Sequence, residues 1–234
     1  MTFNFKNEED VQAYLKNIYM EYRFGCESEK NGNACHLYGD YMESIKQDFE
    51  KAASLYKSNC DERNWPRSCA KFGGYKATGK GCERDIKEAF KYFEKGCELN
   101  DARGCLHGGV LATHKTMTLQ EDKLKQINKG MEMFRKACHE FKEEPACFLL
   151  SGIYMGGLKE YIEPNLREAY KLSFTSCEMG NPYACANLSI MHARGEGAQK
   201  NQELADMFKE RAEILHKEMT KAQNQVKFQE GIKT

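Results

Sequence analysis

The sequence has no excess of charge, no long apolar run and few of the motifs that announce chemistry. Its 35 Lys and Arg are matched by 35 Asp and Glu, for a formal net charge of zero. That balance lacks the basic footprint of a nucleic-acid binder or an anionic-membrane binder, so neither partner is expected. No window approaches 18 consecutive apolar residues, which excludes a transmembrane helix and membrane insertion. The first 25 residues, MTFNFKNEEDVQAYLKNIYMEYRFG, have neither the apolar stretch of a secretory signal nor the Arg-rich, acid-poor character of a transit peptide. No cleaved leader is expected there. The six histidines form no HExxH or other ligand cluster, no Cys-x-x-Cys tetrad is present, and no Cys-x-x-Cys-His haem-attachment motif occurs. No metal site is expected.

What the chain does have is cysteine: eleven in 234 residues. Disulfides belong to oxidising compartments, and a reduced protein would more often cluster cysteines for metal or catalysis, so the spacing has to decide. Ten of the eleven fall into pairs: Cys26 and Cys35, Cys60 and Cys69, Cys97 and Cys105, Cys138 and Cys147, Cys177 and Cys185. Successive first members are 34, 37, 41 and 39 residues apart. That is the period of a two-helix solenoid repeat.

Eight residues before the first cysteine of repeats two to five stand Ala52, Ala89, Gly130 and Ala169, and Tyr56, Phe93 and Phe134 stand four before. Spacings of four and eight share one helical face, so each first cysteine ends the apolar stripe of a helix A. Four residues after the second cysteine every repeat has a small residue: Gly39, Gly73, Gly109, Ser151 and Ser189. This placement on helix B suggests close packing within each antiparallel A/B pair. Helix B then ends in a glycine turn, as in YKATGKGCERD and MHARGEGAQKN, and residues from 114 onward enlarge one such connection.

Within a pair, the two cysteines lie on facing stripes either side of a short turn, a geometry compatible with Cα atoms roughly 5 to 6 Å apart. Local pairing is therefore the economical framework. Each bridge would close a loop worth roughly 2.5 kcal/mol in the chain-entropy model. Zinc is disfavoured, because structural sites prefer two to four intervening residues and these pairs have seven or eight. Cys82 is left as the free thiol, in a turn between Lys80 and Arg84, which would favour its thiolate. GYKATGKG at 74–81 comes within one residue of a phosphate-binding loop, but Gly81 stands where Ser or Thr should be and a helix precedes it. It reads as a glycine turn. Asn187-Leu188-Ser189 matches the glycosylation triplet inside a packed helix B, and no glycan is expected. His107 and His114, seven apart on one flank of a helix B with Met117 nearby, suit a packing or solvated role; histidine and methionine are also haem ligands.

The alanine, aromatic and paired-cysteine register resembles the SEL-1-like repeat, a relative of the tetratricopeptide repeat. Within that class the start NEEDVQAYLKN, the five cysteine pairs and the ending LADMFKERAEILHKE are similar to the cytochrome c oxidase assembly factor 7 family. The resemblance implies an all-α, right-handed α-solenoid of five disulfide-stapled helix-turn-helix repeats with a C-terminal capping helix. The repeats and the last helix read as one domain over residues 1–220, and 221–234, polar and without a matching stripe, as a flexible polar tail. The resemblance also implies a complex IV assembly factor of the mitochondrial intermembrane space, with complex I as a second beneficiary. The partners would be complex IV subunits or assembly intermediates and the oxidative import machinery. Haem binding, with His107 and His114 as candidate ligands, and thiol-disulfide activity are the added expectations, without assigned catalytic residues. The alternatives are a secreted, bacterial-type cysteine-rich repeat protein that binds or hydrolyses penicillin, and a reduced cytosolic adaptor.

Overall fold

The computed structural model describes residues 3–158 and 160–230, with side chains as far as residue 222. Among these residues the chain is all helical apart from a single Leu158–Ile162 bridge. The helices are α1 (Glu8–Glu27), α2 (Gly32–Tyr41), α3 (Phe49–Arg63), α4 (Pro66–Thr78), α5 (Ile86–Glu98), α6 (Ala102–Thr113), α7 (Lys123–His139), α8 (Glu144–Gly156), α9 (Leu166–Glu178), α10 (Pro182–Arg194) and α11 (Gln202–Glu230). A π-helical turn, Met42–Lys46, extends α2 and stops where Gln47 enters the left-handed region at φ 54°.

The helix starts follow from side chains that satisfy the open N–H groups of a first turn. Asp85 accepts from the Glu88 N–H and Asn165 from the Glu168 N–H, each an Asp or Asn with Glu three residues later. Asn181 accepts from the N–H groups of Tyr183 and Ala184. Three of the four prolines stand in the first turns of α4, α8 and α10, where the missing N–H is not needed.

Five bridges join α1 to α2, α3 to α4, α5 to α6, α7 to α8 and α9 to α10, with Cα separations of 4.4 to 4.8 Å. All ten bridged cysteines are buried, as are Ala52, Tyr56, Ala89, Phe93, Phe134 and Ala169 of the expected stripes. The fixed small residue on helix B acts differently from the sequence expectation. A Cβ on Gly39 would lie 2.5 Å from the Tyr56 ring, and one on Gly73 would lie 2.8 Å from Phe93. Ser151 hydrogen-bonds Ser173 at 3.0 Å. In each of these three the partner is helix A of the following repeat, so there the small residue sets the spacing between repeats, whereas the bridge sets the spacing within one.

The contacts divide the chain into two compact units, Met1–Gln126 and Ile127–Thr234. The boundary falls beside the enlarged connection. That connection is organised by the buried Gln126, whose Oε1 accepts from the N–H groups of Leu119 and Gln120 while its Nε2 donates to the carbonyls of Ala112 and Met117. Lys123 adds hydrogen bonds to the carbonyls of His114 and Met117, and burial lowers its pKa. In the second unit, α11 packs on α10 through Ala205 and Phe208, and Phe208 stacks on His192 with an interplanar angle of 7°. The tail expected from 221 is helical as far as Glu230, and 231–234 lie outside the described residues.

Candidate functional site

In the first unit the helix-B elements α2, α4 and α6 border a cavity of about 280 Å³. Its floor is the face of α4 that carries Arg67, Lys71, Gly74 and Thr78, spaced so that they share one side of the helix. His36 on α2 forms one wall, and Asp101, Arg103 and His107 of α6 and its cap form the other.

Beneath this surface lies a chain of buried polar groups. Asn59 Nδ2 donates to Ser68 Oγ at 2.8 Å and to the Gly32 carbonyl at 2.8 Å. Ser68 Oγ in turn shares a hydrogen bond of 2.9 Å with His36 Nδ1. The other ring nitrogen of His36, Nε2, faces Asp40 at 3.6 Å. Asp40 in turn accepts from the Tyr56 hydroxyl at 2.6 Å. Burial lowers the His36 pKa; Asp40 opposes that shift, while Arg67 and Lys71 reinforce it. A buried imidazole whose charged form is disfavoured is thus a structural part of the wall.

The π-helical turn after α2 presents Glu43, which receives Lys71 at 2.5 Å on one oxygen and Lys80 at 2.8 Å on the other. Burial alone would raise the Glu43 pKa, but the hydrogen bonds and charges of the two lysines overcome it and hold the carboxyl at about 2. Tyr75, also in the cavity wall, is pushed up past the tyrosine range by burial and by Glu43, and its buried hydroxyl makes no hydrogen bond of proper geometry.

The residues singled out from sequence divide around this cavity. His107 lines it, exposed on α6 with its ring 5.4 Å from that of Phe93. His114 caps the end of α6, with Nδ1 turned toward Thr116, and does not line it. The structure does not bring the two histidines into one cavity. Cys82 is half-buried against the first unit's core. The activated thiolate expected there is corrected: burial raises the thiol pKa, Lys76 opposes and Glu88 adds to the rise. Lys80 is held by Glu43 and Arg84 donates to the Ala77 carbonyl, so neither serves the sulfur. In the phosphate-loop look-alike, a Cβ on Gly81 would lie 2.1 Å from the Phe49 carbonyl, so this loop packs on the start of α3.

Two Ser-x-x-Lys tetrads, the serine and lysine signature that a penicillin-binding or penicillin-hydrolysing enzyme would use, were missed from the sequence: Ser54 to Lys57 and Ser68 to Lys71. The second lies at the cavity, but Ser68 is fully buried and engaged with Asn59 and His36, while Lys71 is paired to Glu43. Lys57 is paired to Asp61. Neither tetrad presents a serine with a free lysine base. Arg67 and Arg103 were also missed. The available signal was register, since each precedes the second cysteine of its repeat by two residues.

Comparison with known proteins matches the Sel1 repeat at residues 32–61, 66–101, 120–140, 144–181 and 182–205. The first two matches pair α2 with α3 and α4 with α5, the same pairs brought together at Gly39 and Gly73. In solved structures the chain is similar to a protective antigen of uropathogenic Escherichia coli with an SLR fold, at TM-score 0.71 and 17% identity, over 86% of this chain and 40% of that one. It is also similar to a Sel1 repeat protein from Oxalobacter formigenes, at TM-score 0.66 and 19% identity, over 86% and 79%. These likenesses show the fold, an all-α Sel1 repeat solenoid. Among curated proteins, the cytochrome c oxidase assembly factor 7 homolog of Drosophila melanogaster is 37% identical over 99% of this chain and 98% of its own. Cytochrome c oxidase assembly factor 7 of Homo sapiens is 33% identical over 93% and 94%. With the repeat register, the bridges and this near end-to-end similarity in place, the chain belongs to the cytochrome c oxidase assembly factor 7 family of Sel1 repeat proteins.

Proposed function

We propose that this protein is an assembly factor for cytochrome c oxidase, respiratory complex IV, working in the mitochondrial intermembrane space as a protein-binding repeat scaffold. The observation that carries the reading is near full-length similarity to relatives bearing that name, on a chain whose ten paired cysteines are all bridged and buried. Disulfides of this density belong to an oxidising compartment. Oxidation of the cysteine pairs during entry would fold and trap the chain there, which makes the oxidative import machinery its first partner. Buried bridges are poor substrates for thiol exchange, and the Cys82 thiol is disfavoured as a thiolate. The work therefore falls to the surface: rigid helix pairs hold side chains at fixed spacing for complex IV subunits or assembly intermediates.

Removal of the protein from cells tests this directly. Native-gel quantification should show complex IV falling relative to the other complexes, with any loss of complex I smaller. Normal complex IV abundance and activity in a clean null would refute the reading. Protease protection that persists until the outer membrane is opened would support the compartment, and signal from the cytosol alone would remove it.

A further inference from the structure

The cavity on α4 has unspent positive charge and an uncovered floor. Of its four lysines and arginines, Lys71 and Lys80 are committed to Glu43. Among the described residues Arg67 and Arg103 have no carboxylate partner, although both are exposed and border the same cavity from different helices. The one acidic residue in the lining, Asp101, uses Oδ1 to cap α6 through the Gly104 N–H. Paired guanidinium forks are the side chains best suited to bidentate recognition of carboxylates.

The floor gives a second observation. Gly74 is inside α4, where glycine is an unfavourable choice, yet a Cβ there would meet nothing within 4 Å. Its neighbour Gly73 is explained by Phe93, and Gly74 is explained by nothing in the chain. About two turns along α4 from Arg67, this bare helix surface admits another backbone at close range. From Arg67 to Thr78 the floor runs about 16 Å along α4, the length of about five residues of extended chain. A small dianion would leave most of that length empty.

We propose that this cavity docks an extended acidic peptide segment, with carboxylates on Arg67 and Arg103 and its backbone passing over Gly74. The proposal rests on the protein-binding scaffold reading and names the kind of client segment recognised. The buried His36 and the Glu43–lysine cluster fix the walls, so binding is to a surface already formed.

The test is fluorescence anisotropy on the full, oxidised chain with a labelled octapeptide of alternating Glu and Ala, its Gln counterpart, and succinate as a competitor. The Glu peptide should bind and weaken with added salt, and the Gln peptide should bind at least tenfold more weakly. Arg67→Gln and Arg103→Gln should each weaken the Glu peptide on the order of tenfold, the scale of one charge-assisted contact. Gly74→Val should weaken it similarly while leaving the thermal transition in place, which separates occlusion from misfolding. Equal binding of both peptides, no binding of the Glu peptide, or unchanged affinity in both arginine variants would overturn the proposal. Succinate binding as tightly as the peptide would replace the peptide with a small dicarboxylate and overturn it too. Failure of any of these alongside complex IV loss in the null would leave the scaffold reading standing.

Discussion

Adjacent glycines on α4 should respond oppositely to the same substitution. Replacing either with alanine gains about 1 kcal/mol of helix propensity. At Gly74 nothing opposes the gain, because the new methyl meets no atom within 4 Å. At Gly73 the methyl would lie 2.8 Å from Cδ1 and 3.0 Å from Cε1 of Phe93. That ring is buried at 3% exposure between α4 and the His107 ring, so it cannot swing into solvent. Overpacking of this kind costs about 1–3 kcal/mol. Gly74→Ala should therefore be about 1 kcal/mol more stable than the parent, and Gly73→Ala between unchanged and about 2 kcal/mol less stable. Urea unfolding followed by circular dichroism measures both, and in thermal scans each kcal/mol should move the midpoint by about 2–4 °C. Equal stability of the two variants would show that α4 and α5 are not packed at the spacing described, and the reading of the small residue as the spacer between repeats would fall with it.

Further outcomes follow from the polar groups. Glu43 is held at about 2 against an ordinary 4.5, so its contribution is complete above about pH 4.5 and is lost as the pH falls toward 2. Glu43→Gln should remove about 1–2 kcal/mol at neutral pH once solvent screening is allowed for, and flatten the acid limb of the stability profile over that window. An unchanged limb would place the lysines elsewhere. Cys82 should react with iodoacetamide more slowly in the folded protein than after unfolding at the same pH, because burial raises its pKa; an accelerated native thiol would contradict the core contact. Asn181→Ala removes the α10 cap and a 2.6 Å hydrogen bond to Glu144, and should cost about 1–2 kcal/mol in the same urea assay.

The parts of this architecture that were legible in the sequence are those written in local spacing. Cysteine pairs eight or nine apart, and aromatic and alanine residues four and eight before the first of them, report one face of one helix, and all of these landed in the core. Which neighbour that face meets is a different question. Gly39 and Gly73 lie on helix B at a position that faces the next repeat, and a constant offset from a cysteine carries no information about the direction of approach. The polar groups were hidden for a related reason. Ser68 meets His36 from 32 residues away and Lys80 meets Glu43 from 37, roughly one repeat length, so neither pair shows in a local pattern. Gln126 looked like an ordinary polar residue on a helix, yet its amide organises the connection before it with four hydrogen bonds. Arg67 and Arg103 share a register that the sequence does display, and aligning the repeats on the second cysteine brings them out.

The claim on which the rest depends is that each repeat is closed by its own disulfide in the living cell, and thiol mapping tests it most directly. Protein drawn rapidly from cells, unfolded and alkylated without reductant, should take one label, at Cys82; after reduction it should take eleven. Non-reducing digestion and mass spectrometry should then return Cys26–Cys35, Cys60–Cys69, Cys97–Cys105, Cys138–Cys147 and Cys177–Cys185, with none crossing repeats. Eleven free thiols, or a bridge that joins Cys82 to any of the ten, would contradict the stapled repeat and the compartment proposed for it.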